Sequence, residues 1–189
     1  MSINAFKMDG LGNDFVIIDV RENKINLSEQ QIIKICDRNF LGCDQLILID
    51  KNNEADAQLI FYNSDGSESG ACGNGTRCVA YLISKEMNKQ EVNLITKSGK
   101  LYSKILGKNL VETTIGKAKT DWREIPLSKN KNTKNLGIKI EDKNQNIFTG
   151  GTAVNVGNPH TIFFVDNINN FDLEKIGPKL ETSSLYPER

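Results

Sequence analysis

Residues 63–78, NSDGSESGACGNGTRC, restrict the fold of this chain more than any other stretch, because they hold four glycines and two cysteines among small polar residues. The apolar run LIFY precedes them, and a segment rich in apolar residues follows. This order predicts a strand, a loop and then a helix over Thr76–Met87. Apolar side chains cover more than half the circumference of that helix, as expected for a helix enclosed by a sheet. They are Val79, Ala80, Leu82 and Ile83.

Short apolar runs bounded by turn residues predict strands on both sides of the helix. A second helix is expected after Ser28, which forms a capping-box pattern with Gln31. Its apolar face would hold Ile32, Ile35, Cys36 and Phe40. The expected strands are residues 3–8, 15–20, 45–50 and 57–63 before the enclosed helix, and 91–96, 100–106, 109–115, 136–140, 147–156 and 161–165 after it.

A polar segment divides this series of strands. Residues 116–135 are rich in Lys, Asn and Thr, which predicts a connection between two units. No second enclosed helix is expected in the strand series that begins at residue 136. We therefore expect an α/β (α+β) protein with a first domain at residues 1–117 and a partial second domain at 118–189.

The composition excludes several classes of protein. The 24 basic and 24 acidic residues cancel, so no net charge attracts nucleic acid or an anionic membrane. The longest apolar runs are too short to span a bilayer, and no secretion signal precedes residue 20. A soluble, cytoplasmic protein is therefore expected.

The cysteines do not have the spacing of a metal site or of a disulfide framework. Cys36, Cys43, Cys72 and Cys78 match no paired zinc pattern, and the chain has one histidine. Free thiols are expected, with Cys36 and Cys78 packed in the core. No metal site is predicted.

Cys72 differs because it lies just before a helix, among flexible polar residues. The free N–H groups and the positive end of the helix dipole stabilise a thiolate at such a position. Gly73 and Gly75 allow an anion to approach the backbone, so the loop could hold a carboxylate beside the thiolate. The alternative is a helix-entry turn with Cys72 as a small packed residue. Pairing of Cys72 with His160 in a Cys-His protease is a further alternative.

Nucleotide-binding motifs do not fit this chain. The pairs Gly73/Gly75 and Gly10/Gly12 lack the third glycine or alanine of a dinucleotide fingerprint. No GK[ST] sequence of a phosphate-binding loop occurs in the chain.

Four separated motifs closely resemble the diaminopimelate epimerase family. They are FKMDGLGNDF at 6–15, CDQLI at 43–47, FYNSDGSESGACGNGTRC at 61–78 and GNPH at 157–160. The resemblance implies two pseudo-symmetric halves, each with mixed or antiparallel strands around a central helix. It covers about the first two-thirds of a family member, so the second half would be truncated.

The resemblance implies epimerisation of LL- to meso-diaminopimelate, a step in lysine and peptidoglycan precursor synthesis, without a cofactor. Two cysteines on opposite faces of the α carbon would transfer the proton, and Cys72 matches the first. The second belongs to a region of the family beyond Arg189. This chain alone is therefore expected to be inactive as an epimerase.

The resemblance also implies which residues meet the small-molecule substrate. Gly73 and Asn74 match backbone donors to the α-carboxylate, and His160 matches a histidine near the reacting centre, although it could be an ordinary turn residue. Whether the enzyme is a homodimer is left open. Two alternatives are another amino-acid isomerase of this fold and a non-catalytic amino-acid-binding descendant. The expected pocket amides are Asn13, Gln45, Asn63 and Asn158.

Overall fold

The computed structural model of the chain describes residues 5–187. These residues form two compact units, and the boundary lies between Ile115 and Gly116. The first unit contains one large mixed sheet with two helices, and the second contains short hairpins with one α-helix. The predicted α/β class is confirmed.

An eight-stranded sheet forms the first unit, in the order β1-β2-β3-β4-β6-β7-β8, with the short β5 paired to β4. Neighbouring strands are antiparallel except for β2/β3 and β4/β6, which are parallel. A helix connects the strands of each parallel pair, because a parallel connection must cross from one end of the sheet to the other. The strands are β1 Ala5–Gly10, β2 Asn13–Asp19, β3 Gln45–Asp50, β4 Ala57–Asn63, β5 Glu68–Ser69, β6 Glu91–Thr96, β7 Gly99–Gly107 and β8 Leu110–Thr114.

The predicted strands of this unit are present within one or two residues of their expected bounds, and residues 45–50 and 57–63 match fully. Residues 3 and 4 of the first predicted strand lie outside the described residues. The turn between β1 and β2 is shorter than expected. It consists of Leu11 and Gly12, both with positive φ, which suits a two-residue hairpin.

Helix α2, Gly73–Met87, packs on one face of the sheet. It contacts β1 and β8, the two edge strands, so the sheet curves around it. Val79 and Ile83 are fully buried against it, which confirms an enclosed helix. The helix begins three residues earlier than predicted, because the glycines of its first turn are held by packing that a propensity argument does not include.

The other face of the sheet is covered by α1, Glu29–Cys36. The predicted capping box is present, since Ser28 accepts from the Gln31 N–H and the Gln31 side chain accepts from the Ser28 N–H. Cys36 is buried as expected. The placement of Phe40 on the helix was wrong, because α1 ends at Cys36 and Phe40 is 60% exposed in the following loop.

The second unit contains two antiparallel hairpins, β9 with β10 and β11 with β12. The single strand expected over 147–156 is two strands, since Gly151 has a φ of +96° and interrupts it. The last predicted strand ends earlier than expected, at Ile162. The strands are β9 Ile138–Glu141, β10 Ile147–Gly150, β11 Thr152–Asn155 and β12 Pro159–Ile162.

The segment before these hairpins is more than a connection. Ile125 is fully buried and Leu127 is nearly so, and both belong to the core of the second unit with Leu136, Ala153 and Leu185. The prediction of 116–135 as a connection between the two units is therefore incomplete, because these residues also pack into the second unit. Two apolar residues within a polar sequence are sufficient to anchor it.

A third helix, α3 at Leu173–Glu181, was not predicted. Gly177 and Pro178 reduce its helix propensity, while Asp172 caps its first turn by accepting from the Lys175 N–H. It has no buried residue and so does not correspond to the enclosed α2. A helix long and apolar enough to cross a membrane is not found within residues 5–187.

Candidate active site

Cys72 is the N-cap residue of α2. Its backbone is extended, with φ −145° and ψ 111°, and its Sγ accepts from the Gly75 N–H at 3.5 Å. The Cys72 carbonyl accepts from the Thr76 N–H at 2.9 Å and from the Thr76 hydroxyl at 2.7 Å. The N–H groups of Gly73 and Asn74 have no intrahelical acceptor because they belong to the first turn. A half-buried sulfur therefore lies beside two donors that can bind an anion.

Gly75 brings the start of α2 close to the sheet. A Cβ at this position would lie 2.6 Å from Ile47 Cδ1 and 3.1 Å from Phe61 Cε1, and also 3.3 Å from Phe15 Cε1. Only glycine permits this approach, so the sequence of the loop determines where Cys72 lies. The first turn of α2 consequently covers one end of β2, β3 and β4.

The topology brings three predicted pocket amides to that same end. Asn13 and Gln45 begin the parallel strands β2 and β3, and Asn63 ends the antiparallel β4. Each is two positions from an aromatic or aliphatic residue that contacts Gly75, namely Phe15, Ile47 or Phe61. Alternate residues of a strand share a face, so all three amides project toward the α2 side of the sheet.

Hydrogen bonds join these three amides and Asn74 in two pairs. The Asn74 Nδ2 donates to Asn13 Oδ1 at 2.6 Å, and the Gln45 Nε2 donates to Asn63 Oδ1 at 2.9 Å. The Asn63 Nδ2 also donates to Ser67 Oγ at 3.1 Å. Six sequence-predicted residues therefore converge in the first unit. They are Asn13, Gln45, Asn63, Cys72, Gly73 and Asn74, and together they are called the α2-start site.

The other three cysteines are buried free thiols. Burial raises the pKa of Cys78 to about 11, and Cys36 has its pKa raised to about 12 by burial and by the adjacent Cys43 thiol. Cys43 lies with its Sγ 3.5 Å from that of Cys36. Neither Cys36 nor Cys78 is suited to act as a base near neutral pH. Cys72 is thus the accessible thiol of the chain.

Four charged residues next to the α2-start site were not singled out in the sequence. Arg38 pairs with Asp14 and Asp44 at 2.6 Å each, and Lys7 pairs with Asp14 at 2.7 Å. The hydrogen-bonded Arg38 guanidinium holds the pKa of Asp14 well below its usual range, and Lys7 adds to the effect. Asp14 directly follows Asn13, and Asp44 directly precedes Gln45. Their position next to a predicted pocket amide was the sequence feature that could have identified them.

Asn158 and His160 belong to the second unit. Asn158 lies in the turn between β11 and β12, and His160 lies in β12, both exposed. The His160 Nδ1 is 2.9 Å from the Asn158 carbonyl oxygen. These two residues are adjacent to each other, and their site roles remain a prediction from the resemblance.

A metal centre has no candidate ligand group in the part of the chain that the structure describes, since no three His, Cys, Asp or Glu side chains converge there.

Known proteins resemble this chain in sequence. The family model described as diaminopimelate epimerase matches residues 5–120. A diaminopimelate epimerase of Pelagibacter ubique is 65% identical over the whole chain, which covers 69% of that protein. One from Acidiphilium cryptum is 42% identical over 97% of the chain, which covers 65% of that protein. The chain thus spans about two-thirds of the length of the curated relatives it matches.

Solved structures show the same fold at low sequence identity. A predicted epimerase from Pseudomonas aeruginosa has a TM-score of 0.60 and 14% identity, covering 96% of this chain and 68% of the other. A hydroxyproline epimerase from Agrobacterium vitis has a TM-score of 0.56 and 13% identity, covering 93% of this chain and 53% of the other. The matched family model and the similarity to full-chain relatives show that this chain belongs to the diaminopimelate epimerase family.

Proposed function

We propose that this chain supplies the Cys72 half of a diaminopimelate epimerase, the enzyme that interconverts LL- and meso-diaminopimelate in lysine and peptidoglycan precursor synthesis. The single observation that carries the proposal is the position of the half-buried Cys72 Sγ at the start of α2, beside the donors of Gly73 and Asn74. Membership of the family supports the choice of substrate.

In the proposed reaction the Cys72 thiolate removes the α proton of the bound amino acid. The C–H bond breaks, its electron pair extends into the adjacent carboxylate, and the S–H bond forms. Preorganised N–H donors stabilise the charge that develops on that carboxylate. Gly73 and Asn74 are the proposed donors. A thiol on the opposite face would then protonate the carbon and complete the inversion, so the reaction needs no cofactor.

The amides of the site would recognise the remainder of the substrate. Asn13, Gln45 and Asn63 can both donate and accept hydrogen bonds, which suits a zwitterionic amino-acid group. For Asn158 and His160 we propose only the substrate-binding and catalytic roles that the family resemblance implies. We assign the reaction to the cytoplasm, whose reducing environment keeps Cys72 a free thiol. The balanced charge of the chain supports a small-molecule substrate over nucleic acid.

Exchange of the α proton with heavy water tests the proposal on the chain itself. One cysteine is enough for exchange. Cys72 can remove the α proton, exchange it with heavy water and return a deuteron to the same face of the α carbon. We expect deuterium at the α carbon of diaminopimelate and none in proline. The Cys72→Ser variant should lose the exchange, whereas Cys78→Ala, in the same helix, should retain it.

Two results would contradict the proposal. Exchange that survives in Cys72→Ser would show that Cys72 is not the base. A parent chain without exchange would show that it lacks the proposed activity.

A further inference from the structure

Four side chains form a hydrogen-bond chain that begins in the first turns of α2 and runs in one direction. Arg77 donates to Asn74 Oδ1, the Asn74 Nδ2 donates to Asn13 Oδ1 at 2.6 Å, and the Asn13 Nδ2 donates to Asp44 Oδ2 at 3.3 Å. The chain joins the first turn of α2 to the start of β3. Arg77 and Asn74 are three residues apart in sequence, but Asn74 and Asn13 are 61 apart.

The ends of this chain determine its direction. A carboxamide can rotate by 180°, which exchanges its oxygen and its NH2 group at little intrinsic cost. A guanidinium can only donate and a carboxylate can only accept. With Arg77 at one end and Asp44 at the other, Asn74 and Asn13 each have one orientation that satisfies all three bonds.

The Asp44 end is itself held in place. Its second oxygen accepts from Arg38 Nη2 at 2.6 Å, and its Oδ2 also accepts from the Asp14 N–H at 3.1 Å. In return the Asp44 N–H donates to Asp14 Oδ1 at 3.0 Å. Bonds to charged groups are stronger than neutral ones, so this end restrains the carboxylate more firmly than a single pair would.

The other end is next to the reacting sulfur. Arg77 lies one turn into α2, and its Nη1 is 3.8 Å from the position of a Cβ on Gly73. Asn74 follows Gly73, whose N–H is a proposed donor to the substrate carboxylate. The amide orientation that Arg77 and Asp44 impose is therefore presented at the α2-start site.

We propose that Asp44 and Arg77 are positioning residues, which act from opposite ends of one hydrogen-bond chain to fix the amide orientation of Asn13 and Asn74. The inference rests on the proposed function, because it assumes that these two amides face the substrate. Two amides with two orientations each give four arrangements of donors and acceptors. When both amides are fixed, a substrate meets one arrangement, and no binding energy is used to select it.

Side-chain amide NMR of the chain tests the relay without reference to activity. Replacing Asp44 by Asn creates an end that can donate as well as accept. We expect Asp44→Asn to shift the NH2 resonances of Asn13 and, through it, those of Asn74, which residue 44 does not contact. Asp50→Asn, at the far end of β3, is the matched control and should shift neither.

The Arg77 end gives the reciprocal test. Arg77→Met should shift the NH2 resonances of Asn13, with the effect relayed through Asn74. Arg77→Lys retains a cationic donor, so its Asn13 resonances should lie at the parent positions. A change confined to the nearest amide in both Asp44→Asn and Arg77→Met would overturn the proposal, because no orientation would then be relayed.

α-Deuterium exchange gives the functional consequence. We expect Asp44→Asn to raise the diaminopimelate concentration needed for half-maximal exchange several-fold, while Asp50→Asn leaves it unchanged. An unchanged value in Asp44→Asn would overturn the positioning role. If the parent chain shows no exchange, the proposed function fails, and the NMR result still decides whether the relay exists.

Discussion

Cys72 is held at a helix start by its neighbours in sequence. Gly73 and Gly75 are poor helix formers, yet both lie within α2. Glycine is required at position 75 in spite of its poor helix propensity, because a side chain there would overlap Ile47 and Phe61. From the sequence, Cys72 could be predicted to lie near a helix start, but its position as the N-cap follows from this contact.

Gly75→Ala should destabilise the first unit by about 1–2 kcal/mol. An added methyl group would meet two phenyl rings and Ile47, and overpacking costs ~1–3 kcal/mol, which the better helix propensity of alanine offsets in part. Urea denaturation would measure the change in the free energy of unfolding.

Gly177→Ala is the matched control, since Gly177 is also helical but has no atom within 4 Å of an added Cβ. That variant should be neutral or more stable by up to ~1 kcal/mol. Equal effects of the two substitutions would contradict the packing argument.

At the scale of elements, ion pairs join β1, β2 and the residue before β3. Lys7 of β1 pairs with Asp14 of β2, and Arg38, in the loop after α1, pairs with both Asp14 and Asp44. Sequence patterns predicted these strands well because each is a short apolar run between turn residues. They did not predict the ion pairs, because strand order and register decide which charged residues become neighbours.

Asp14→Asn should lower stability at neutral pH and have a smaller effect in acid. The hydrogen bond from Arg38, with help from Lys7, depresses the pKa of Asp14 in the folded chain, so its charged form favours folding. This contribution is complete above the unfolded pKa of about 4 and is lost as pH falls toward the lower folded value.

Thermal unfolding of Asp14→Asn and the parent, followed between pH 7 and pH 2, would measure the effect. Asp50→Asn on the same sheet corrects for loss of one charge. A stability difference that stays constant down to pH 2, or grows in acid, would contradict the assigned role of Asp14.

At the scale of the whole molecule, the described residues have separate cores for the two units. Ile125, Leu127 and Leu136 form the centre of the second, and the two faces of the large sheet form cores in the first. The strand and helix patterns predicted a folded α/β protein. They did not reveal that a polar, lysine-rich segment contributes the central side chain of the second unit.

Ile125→Ala should destabilise the second unit by about 2–5 kcal/mol, since it leaves a cavity at a fully buried position. Hydrogen exchange of peptides from residues 116–187 would report the loss of protection. Ile147→Ala, at a side chain that is 60% exposed, should change protection little. Similar loss in both variants would show that Ile125 is not a core residue.

The sequence alone determined the strands, the enclosed helix, the thiol at its start and the family motifs, because each is encoded by residues close together in the chain. Tertiary structure decided what those motifs contact. Asn13, Gln45 and Asn63 meet at one sheet end because parallel and antiparallel pairing brings distant strand ends together. The proposed action of Arg77 and Asp44 on Asn74 and Asn13 is possible only because the first turn of α2 and the residue before β3 reach that same end. Local sequence patterns do not encode such long-range contacts, because the contacts depend on packing and on strand register.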